Sequence, residues 1–433
     1  MVRARGAGSF RDRRARRELA LFPRLRGLCR VRSVPAQRAR ASHRLLGGAR
    51  RRPARARPAR GLGRGRHPEL GPRPDPDLQL LRRPRRHGDR YGLVGRLAPD
   101  FRSHRRHLVV APGPGACVSV LVTGAGGYVG SLLVERLAKA SNAGCVHALD
   151  VRPIESVRRI AGVEYVTADV CGPETAAAIR DAKPDAVVHL AAVVDPPPGM
   201  ARETLHCIEV LGTQSVLDAC AAAGVGRIVV TSSGAAYGYH PDNPPLITED
   251  WPLRGNREFA YADHKRQVEE LLARVRTTHP QLAQFVFRVC TVIGAKTDNQ
   301  ITALFEKPRL IAIRGAASPF SFVWDGDVVE CLVQAIASDR PGIYNLAGDG
   351  AMTVQEIGER LRKPCLEIPA WLLQAALALL HPLQISRYGP EQVDFLRYRP
   401  VLDNTRLRNE FGFAPRYSSR EAFEQWALAH GAA

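Results

Sequence analysis

The amino-acid sequence predicts an α/β protein in which residues 118–433 form a doubly wound parallel sheet with a smaller C-terminal lobe. Three observations support this fold class. Short, almost uniformly apolar segments alternate with longer segments of helical periodicity, as in parallel sheets that helices cover on both faces. A glycine-rich turn separates the first apolar segment from the first helical one. Residues 1–117 differ sharply in composition from the rest, so the fold prediction begins at about Val118.

The expected strands are short and rich in branched aliphatic residues. They are assigned to Val118–Val122, Cys145–Leu149, Glu164–Val166, Ala186–Leu190, Arg227–Thr231 and Phe285–Val292. Helices are expected between them, at Tyr128–Ala140, Arg202–Ala223 and Glu258–Thr277. Because a helical crossover returns the chain to the same edge of the sheet, consecutive strands should run parallel.

The pattern becomes less regular after about Gly294, which predicts a smaller lobe next to the sheet. We divide the folded part into a sheet domain, 118–297, and a mainly substrate-binding lobe, 298–433, from which some segments return to the sheet. Ligands bind at the carboxyl edge of such sheets, which this lobe would cover. The elements expected in the lobe are a helix at Asp327–Ala337, a strand at Gly342–Leu346 and a capping box of Thr353 and Glu356 that starts another helix.

The first 117 residues contain 32 Arg, no Lys and seven acidic residues, whereas 118–433 carry 31 basic and 35 acidic residues. This stretch lacks sustained apolar periodicity and is predicted to be disordered. Three origins compete: a nucleic-acid-binding arm, a transit peptide, and a gene-model artefact in which GC-rich DNA upstream of a start near Val118 is translated. We favour the artefact, because arginine without lysine fits codon bias better than selection for positive charge. No nucleic-acid partner is therefore expected.

The cysteines and the apolar segments indicate neither a metal site nor a membrane anchor. The nine cysteines show no Cys-x-x-Cys pair and no His/Cys metal spacing, so we expect free thiols in a reducing cytosol and no bound metal. No apolar segment reaches the ~20 residues that span a bilayer. The closest, Trp371–Leu380, is expected to form a buried helix over the substrate site. A cytoplasmic protein without a membrane span follows.

A dinucleotide site is predicted by Gly124, Gly127 and Gly130, which follow the first strand and open the first helix. Glycines at this spacing allow a tight turn and bring backbone N–H groups to a pyrophosphate, as in Rossmann-type folds. A plain tight loop is the alternative. Asp150 ends the second strand, where a carboxylate would accept hydrogen bonds from the adenosine ribose and repel a 2′-phosphate. This favours NAD over NADP, although Arg152 weakens the preference.

A second acidic residue follows the third strand. Asp169, with Val170 after it, stands where a short acidic side chain would contact the adenine amino group. The alternative is an aspartate that only caps the end of the strand.

Hydride chemistry is indicated by Tyr261 and Lys265, which are four residues apart on a predicted helix and therefore share one face. A neutral phenol is a poor base, and a neighbouring ammonium stabilises the phenolate. The tyrosine would then exchange a proton with a substrate alcohol while hydride moves to or from a nicotinamide. An exposed polar face is the alternative. Ser233 follows the fifth strand and would bind the reacting oxygen or simply cap a turn; His264 points to another face and is given no role.

Taken together, these motifs resemble the extended short-chain dehydrogenases/reductases, in particular the NAD-dependent epimerase/dehydratase family that includes the UDP-glucose 4-epimerases. The resemblance covers nearly all of 118–433. It rests on the glycine turn Thr123–Gly130, the segment His189–Ala192, the triad Ser233, Tyr261 and Lys265, and the closing segments Asn404–Leu407 and Phe411–Pro415.

The resemblance implies a tightly held NAD, a small-molecule substrate and a homodimer. It implies that Tyr261 is the acid/base, that Lys265 stabilises the phenolate and anchors a ribose hydroxyl, and that Ser233 donates to the carbonyl oxygen. The domain 118–297 would then bind NAD and carry the catalytic residues. The cofactor-binding residues that it implies are Gly124, Gly127, Tyr128, Val129, Gly130, Asp150, Asp169, Val170, Leu190, Ala191, Ala192, Tyr261 and Lys265.

Departures from the family pattern concern the substrate. Arg314 and Arg399 would replace a missing diphosphate-binding Arg, or they are solvated surface charges. Together with the Trp371–Leu380 segment, Phe320, Phe322 and Trp324 suggest a less polar pocket. The departing positions are Glu209 and Thr291, where sugar-nucleotide enzymes have Asn, and Phe320 and Trp324, where they have Arg and His.

Three functions are therefore carried forward. The leading hypothesis is an NAD-dependent oxidoreductase that acts on a secondary alcohol of a nucleotide-sugar or similar substrate. An enzyme like 3β-hydroxysteroid dehydrogenase, acting on a lipophilic alcohol, is the second. A non-catalytic NAD-binding regulator is the third, and the presence of Ser233, Tyr261 and Lys265 argues against it.

Overall fold

The computed structural model describes residues 118–140, 143–197, 199–383, 385–386 and 389–431. The predicted disordered extension, 1–117, lies outside the described residues.

The strands of the described chain agree closely with the apolar segments of the sequence. In chain order they are β1 Val118–Thr123, β2 Ala143–Asp150, β3 Val163–Thr167, β4 Ala186–His189, β5 Arg227–Ser233, β6 Ala283–Val289, β7 Thr291–Ile293, β8 Leu310–Ile313, β9 Phe322–Trp324, β10 Gly342–Leu346 and β11 Cys365–Ile368.

A seven-stranded sheet with the order β3-β2-β1-β4-β5-β6-β10 forms the centre, and every neighbouring pair in it is parallel. The direction of winding reverses between β1 and β4. In doubly wound sheets a crevice opens at this point, at the carboxyl ends of the strands, and ligands bind there. The predicted fold class is confirmed.

Helices cover both faces of this sheet, and further helices lie in the smaller lobe. The helices of the described chain are α1 Tyr128–Ala138, α2 Pro173–Ala182, α3 Arg202–His206, α4 Gly212–Ala223, α5 Ala260–Thr278, α6 Thr302–Phe305, α7 Asp325–Ala337, α8 Val354–Arg360, α9 Ala370–Leu380, α10 Gln392–Arg397 and α11 Ser419–Ala429.

Alternate residues of β1 explain why both faces are covered. Val120 and Val122 pack with Leu133 of α1 and Leu332 of α7. Leu121, on the opposite face, packs with residues of α2, α4 and α5. Since all these side chains are buried, the strands read as continuous apolar segments in the sequence.

The predicted helix Arg202–Ala223 is present, with one irregularity. A π-helical turn, Cys207–Leu211, joins α3 to α4. Single π-turns inside helices often mark functional sites, and this one carries the buried Glu209.

The smaller lobe has its own aromatic core, in which Phe305, Phe322, Phe423 and Trp426 are buried. It contains the two-stranded sheets β7–β9 and β8–β11, and β10 returns from this part of the chain to pair with β6. The expected capping box is also present, because the Thr353 hydroxyl accepts from the Glu356 N–H at 3.2 Å and the Glu356 carboxylate accepts from the Thr353 N–H at 2.8 Å.

The predicted strand Phe285–Val292 is in fact two strands. β6 ends at Val289, and β7 pairs with β9 in a different sheet. Cys290 lies between them and donates its N–H to the carbonyl of Leu346 at the end of β10. The apolar character continues through the break, so the sequence pattern does not reveal where the chain leaves the main sheet.

The prediction for the apolar segment Trp371–Leu380 is wrong. It forms helix α9, but none of its residues is buried, and Trp371 is 69% exposed. The helix follows the edge strand β11, and no described element covers its outer surface, so it does not form a buried roof over the substrate site. Among the described residues no helix is both long and apolar enough to span a membrane.

Candidate active site

The glycine turn lies between the end of β1 and the start of α1. Gly124 has a φ of +69°, and a Cβ there would stand 2.7 Å from the backbone nitrogen of Ala191. At Gly130 a Cβ would stand 2.1 Å from the carbonyl oxygen of Gly124. Gly127 precedes α1, and no side chain among the described residues caps that helix start. Its first N–H groups are therefore available to an anion, and the turn fits the pyrophosphate of a dinucleotide.

Asp150 stands beside this turn at the end of β2 and is buried. One carboxylate oxygen accepts the Gly126 N–H at 2.9 Å, and the other accepts the Arg152 N–H at 2.9 Å. The Arg152 guanidinium is 3.6 Å from the same carboxylate. An ion pair with Asp150 makes Arg152 less available to a 2′-phosphate, which agrees with the preference for NAD.

Asp169 follows β3 and caps the turn into α2. Its carboxylate accepts the Cys171 N–H at 2.9 Å, and its carbonyl accepts the Thr175 hydroxyl at 2.7 Å. Asp169 therefore has the capping role that was the alternative to adenine contact. Val170 is buried beside it, and contact of either residue with adenine stays a prediction.

The segment Leu190–Ala192 leaves β4 next to the glycine turn. His189 fixes this strand end, because its ring bonds to the hydroxyl of Thr123 at 2.8 Å and to that of Thr213 at 3.0 Å. Burial, with a smaller contribution from Lys265, lowers the pKa of His189 to about 3, so the ring is neutral. Leu190, Ala191 and Ala192 line a small cavity together with Lys265.

Tyr128 contacts residues from the later part of the chain. Its hydroxyl donates to Asp325 at the start of α7 at 2.5 Å and accepts from the Thr297 hydroxyl at 2.9 Å. Burial and the Asp325 carboxylate raise the pKa of Tyr128. Val129 is half-buried and packs on the core behind the turn. Tyr128 thus ties the first helix to the later part of the chain.

The predicted catalytic residues lie where β5 and α5 meet. The Lys265 ammonium is 5.7 Å from the centre of the Tyr261 ring and donates to the Thr231 carbonyl at 3.4 Å. Ser233 ends β5, and its hydroxyl oxygen accepts the Ala235 N–H at 3.1 Å. The hydroxyl hydrogen of Ser233 remains available to donate to a substrate oxygen.

A neighbouring serine has a different role. The hydroxyl of Ser232 donates to Glu269 at 2.7 Å, and Glu269 holds the Arg288 guanidinium through two bonds of 2.8 Å. All three side chains are buried. This buried network engages Ser232 and Arg288 in the framework of the sheet, and the catalytic role of Ser233 stays a prediction.

Sequence reasoning missed a buried pair behind the lysine. Glu209 and His264 are 55 residues apart, and their side chains meet at 2.9 Å. The other carboxylate oxygen of Glu209 has no hydrogen-bond partner in the described part of the chain. The only sign of this pair in the sequence was Glu209 itself, which stands where sugar-nucleotide enzymes have Asn.

The sequence left open whether Arg399 binds the substrate or is a solvated surface charge. Its guanidinium lies 3.4 Å from the centre of the Phe320 ring and 4.4 Å from that of Phe395. Both terminal nitrogens are buried, and neither has a hydrogen-bond partner among the described residues. Burial lowers the pKa of Arg399 to about 9. This guanidinium is not a solvated surface charge.

A group of residues of metal-ligand type lies on the edge strand β3 and its neighbour β2. Ligand atoms of Cys145, His147 and Glu164 are within 4.8 Å of one another. The His147 ring and the Glu164 carboxylate already bond at 3.0 Å. Burial and Glu164 raise the pKa of the Cys145 thiol, which disfavours the thiolate that a metal needs. The prediction of no metal is therefore kept.

The doubly wound sheet, the glycine turn and the Ser–Tyr–Lys arrangement define the class as an extended short-chain dehydrogenase/reductase. Residues 120–347 match the model of the NAD dependent epimerase/dehydratase family. The chain belongs to this family and is an NAD-dependent enzyme.

Similar proteins agree with this assignment. An uncharacterized protein of Mycobacterium tuberculosis is 28% identical over 318 residues, which cover 72% of this chain and 84% of that protein. The UDP-glucose 4-epimerase of Mycolicibacterium smegmatis is 29% identical over 322 residues, covering 70% of this chain and 95% of the epimerase. The solved UDP-glucose 4-epimerase of Thermotoga maritima with UDP-glucose superposes with a TM-score of 0.58 at 18% identity, covering 72% and 98%.

Proposed function

We propose that this enzyme transfers hydride between NAD and a secondary alcohol carbon of a nucleotide-sugar, assisted by Ser233, Tyr261 and Lys265. Bound NAD would supply the hydride acceptor at its nicotinamide. Tyr261, as phenolate, takes the proton of the substrate hydroxyl, and the Lys265 ammonium stabilises that phenolate. Ser233 donates to the substrate oxygen and holds it next to Tyr261. In the reverse direction Tyr261 returns the proton.

The observation that carries the substrate assignment is Arg399. A buried cation without an ionic partner is costly, and an anionic group is what relieves the cost. The diphosphate of a nucleotide-sugar provides two such groups, whereas a hydroxysteroid has none. A guanidinium also binds phosphate oxygens in pairs, which the two unpartnered terminal nitrogens of Arg399 allow.

Arg399 is also close to the reacting groups. Phe395, on which its guanidinium packs, contacts the Tyr239 ring with a centroid separation of 5.1 Å. Tyr239, Phe395 and Tyr261 belong to one cluster of packed side chains. A substrate held by Arg399 would therefore extend toward Tyr261. The UDP-glucose 4-epimerases among the similar proteins support the same substrate class.

The aromatic residues and the apolar helix that suggested a lipophilic substrate do not favour one in the structure. Phe322 is fully buried in the core of the smaller lobe, and α9 is exposed on the surface. Phe320 lies against the guanidinium of Arg399. An aromatic pocket for a steroid therefore has no support from these residues.

The test uses the full chain with NAD, UDP-glucose, UDP-galactose and a 3β-hydroxysteroid, reading NADH absorbance and sugar isomerisation together. We expect turnover of a UDP-sugar. Arg399→Gln should raise KM for it at least tenfold, since a charge-assisted contact to phosphate is lost. Arg314→Gln is the matched control, because Arg314 is exposed and should leave KM unchanged.

Two results would contradict the proposal. One is steroid turnover that is the same in wild type and Arg399→Gln. The other is UDP-sugar turnover that survives Tyr261→Phe, which would remove Tyr261 from the chemistry. The homodimer, the cytoplasmic location and the boundary between 118–297 and 298–433 stay predictions; light scattering of the purified chain tests the first.

A further inference from the structure

A small cavity of about 10 Å³ lies beside Lys265, between the end of β4, the π-helical turn and α5. This is room for about one water molecule. Its polar lining comes from two strands and three helical segments: His189 of β4, Thr231 of β5, Glu209 of the π-helical turn, Thr213 of α4 and Lys265 of α5.

Glu209 is the acidic group of this lining, and it is 3% exposed. One carboxylate oxygen bonds to His264 Nδ1 at 2.9 Å, while the other is buried without a partner among the described residues. A buried carboxylate oxygen is costly to leave unpaired. A water in the cavity would satisfy it and also reach the Lys265 ammonium, since both side chains line the same space.

The other charged groups nearby are already engaged. His189 is neutral and bonded to two threonine hydroxyls. Asp263, next to His264 on α5, pairs with Arg202 and Arg266 at 2.7 Å each. His206 of α3 contacts the His264 ring edge-on at 5.4 Å. His264 and Lys265 are therefore the basic groups that face Glu209.

We propose that Glu209, held by His264, is an internal proton acceptor for the Tyr261–Lys265 pair. The inference rests on the proposed function. When the substrate hydroxyl loses its proton to the Tyr261 phenolate, Lys265 releases one proton through the cavity water to the Glu209 carboxylate and takes up the proton of Tyr261. Tyr261 and Lys265 then return to phenolate and ammonium, and Glu209 holds the proton as a carboxylic acid. An amide at position 209 would make hydrogen bonds but accept no proton.

The test compares wild type, Glu209→Gln and Asp263→Asn with NAD and UDP-glucose. Glu209→Gln keeps the shape of the side chain and removes the acceptor. We expect kcat to fall at least tenfold with KM values changed less than twofold, and the pH dependence of kcat to change. Asp263→Asn, a buried carboxylate on the neighbouring face, should behave as wild type. An unchanged kcat in Glu209→Gln, or a fall in kcat with no change in its pH dependence, would overturn the inference.

A second measurement needs no substrate. Calorimetry of NAD binding in buffers of different ionisation enthalpy gives the number of protons released. The nicotinamide ring is cationic, and its binding near Lys265 should favour loss of a proton from the Tyr261–Lys265 pair. An internal acceptor retains that proton, so we expect less release to the buffer in wild type and Asp263→Asn than in Glu209→Gln; equal release in all three contradicts the inference.

The two measurements separate this inference from the proposed function. If wild type does not turn over any UDP-sugar, the proposed substrate is wrong and the calorimetry decides the role of Glu209. If UDP-glucose is turned over and Glu209→Gln behaves as wild type in both assays, the proposed function stands and the inference fails.

Discussion

At the scale of single residues, His189 shows how a buried side chain can hold neighbouring elements in place beside the predicted cofactor site. Its neutral ring joins Thr123 at the end of β1 to Thr213 of α4. The strand ends β1 and β4 flank the reversal of winding, so this bridge fixes β1 and α4 to the end of β4 at that point. A protonated ring would be a buried charge beside Lys265, which is why it stays neutral.

His189 should also make stability depend on pH. Its folded pKa is lowered to about 3, below the unfolded value near 6.5, so its contribution is complete above pH 6.5 and is lost as pH falls toward 3. His189→Gln lacks this contribution. We expect wild type to be more stable than His189→Gln at pH 7.5, and the gap to narrow by about 2 kcal/mol at pH 5.

Urea unfolding at pH 7.5, 6.5 and 5 measures this gap. His381→Gln, at an exposed position, is the control, and its difference from wild type should stay constant. A gap for His189→Gln that widens toward pH 5 would show that the ring is charged in the folded protein.

The sequence predicts which side chains meet when they are close to one another along the chain. It does not predict contacts between residues that only the folded structure brings together. Tyr261 and Lys265 share a helix face, so a spacing of four reveals them. Glu209 and His264 lie on different helices, and their contact depends on how a π-turn packs on α5. Arg399 is equally hidden, because Phe320, one of the two rings that enclose it, comes from a distant segment.

At the scale of elements, helices α9 and α11 show that an apolar sequence does not by itself predict which side chains are buried. Both contain a tryptophan among apolar residues. Trp426 of α11 is 2% exposed in the core of the smaller lobe, whereas Trp371 of α9 is largely exposed. The sequence pattern predicts a helix at α9, whereas no prediction was made for α11. Burial depends on whether another element reaches the apolar face, and the sequence does not encode that locally.

The two tryptophans form a matched pair for a stability test. Trp426→Ala should lower the free energy of unfolding by about 3–5 kcal/mol, because a large core side chain is lost. Trp371→Ala should change it by less than about 0.5 kcal/mol, as for exposed positions in general. Denaturant titration of both variants checks this; a large loss in Trp371→Ala would mean that α9 is covered in solution.

At the scale of the whole molecule, Asn345 connects the sheet to segments far along the chain. On β10 it is fully buried. Its N–H donates to Glu249 at 2.7 Å, its side-chain carbonyl accepts from the Tyr237 hydroxyl at 2.8 Å, and its side-chain amide donates to the carbonyls of Ile247 and Asp403 at 2.8 and 3.0 Å. One residue thus holds the segments that contain Ile247 and Asp403 on the sheet.

Removing this amide should affect stability across the fold. Asn345→Ala leaves several buried polar groups unsatisfied, and we expect a loss of about 2–5 kcal/mol. Asn409→Ala, at an exposed position, is the control and should be close to wild type. Equal unfolding midpoints for the two variants would mean that buried water takes over the role of the side chain.

The pairing of β10 with β6 also has a consequence for synthesis on the ribosome. About fifty residues separate these strands, so the outer edge of β6 has no partner until the chain has been made as far as residue 346. An open, apolar strand edge attracts other chains. The nascent protein therefore passes through a stage in which the edge of β6 is exposed, and it stays exposed until β10 has been made and pairs with it.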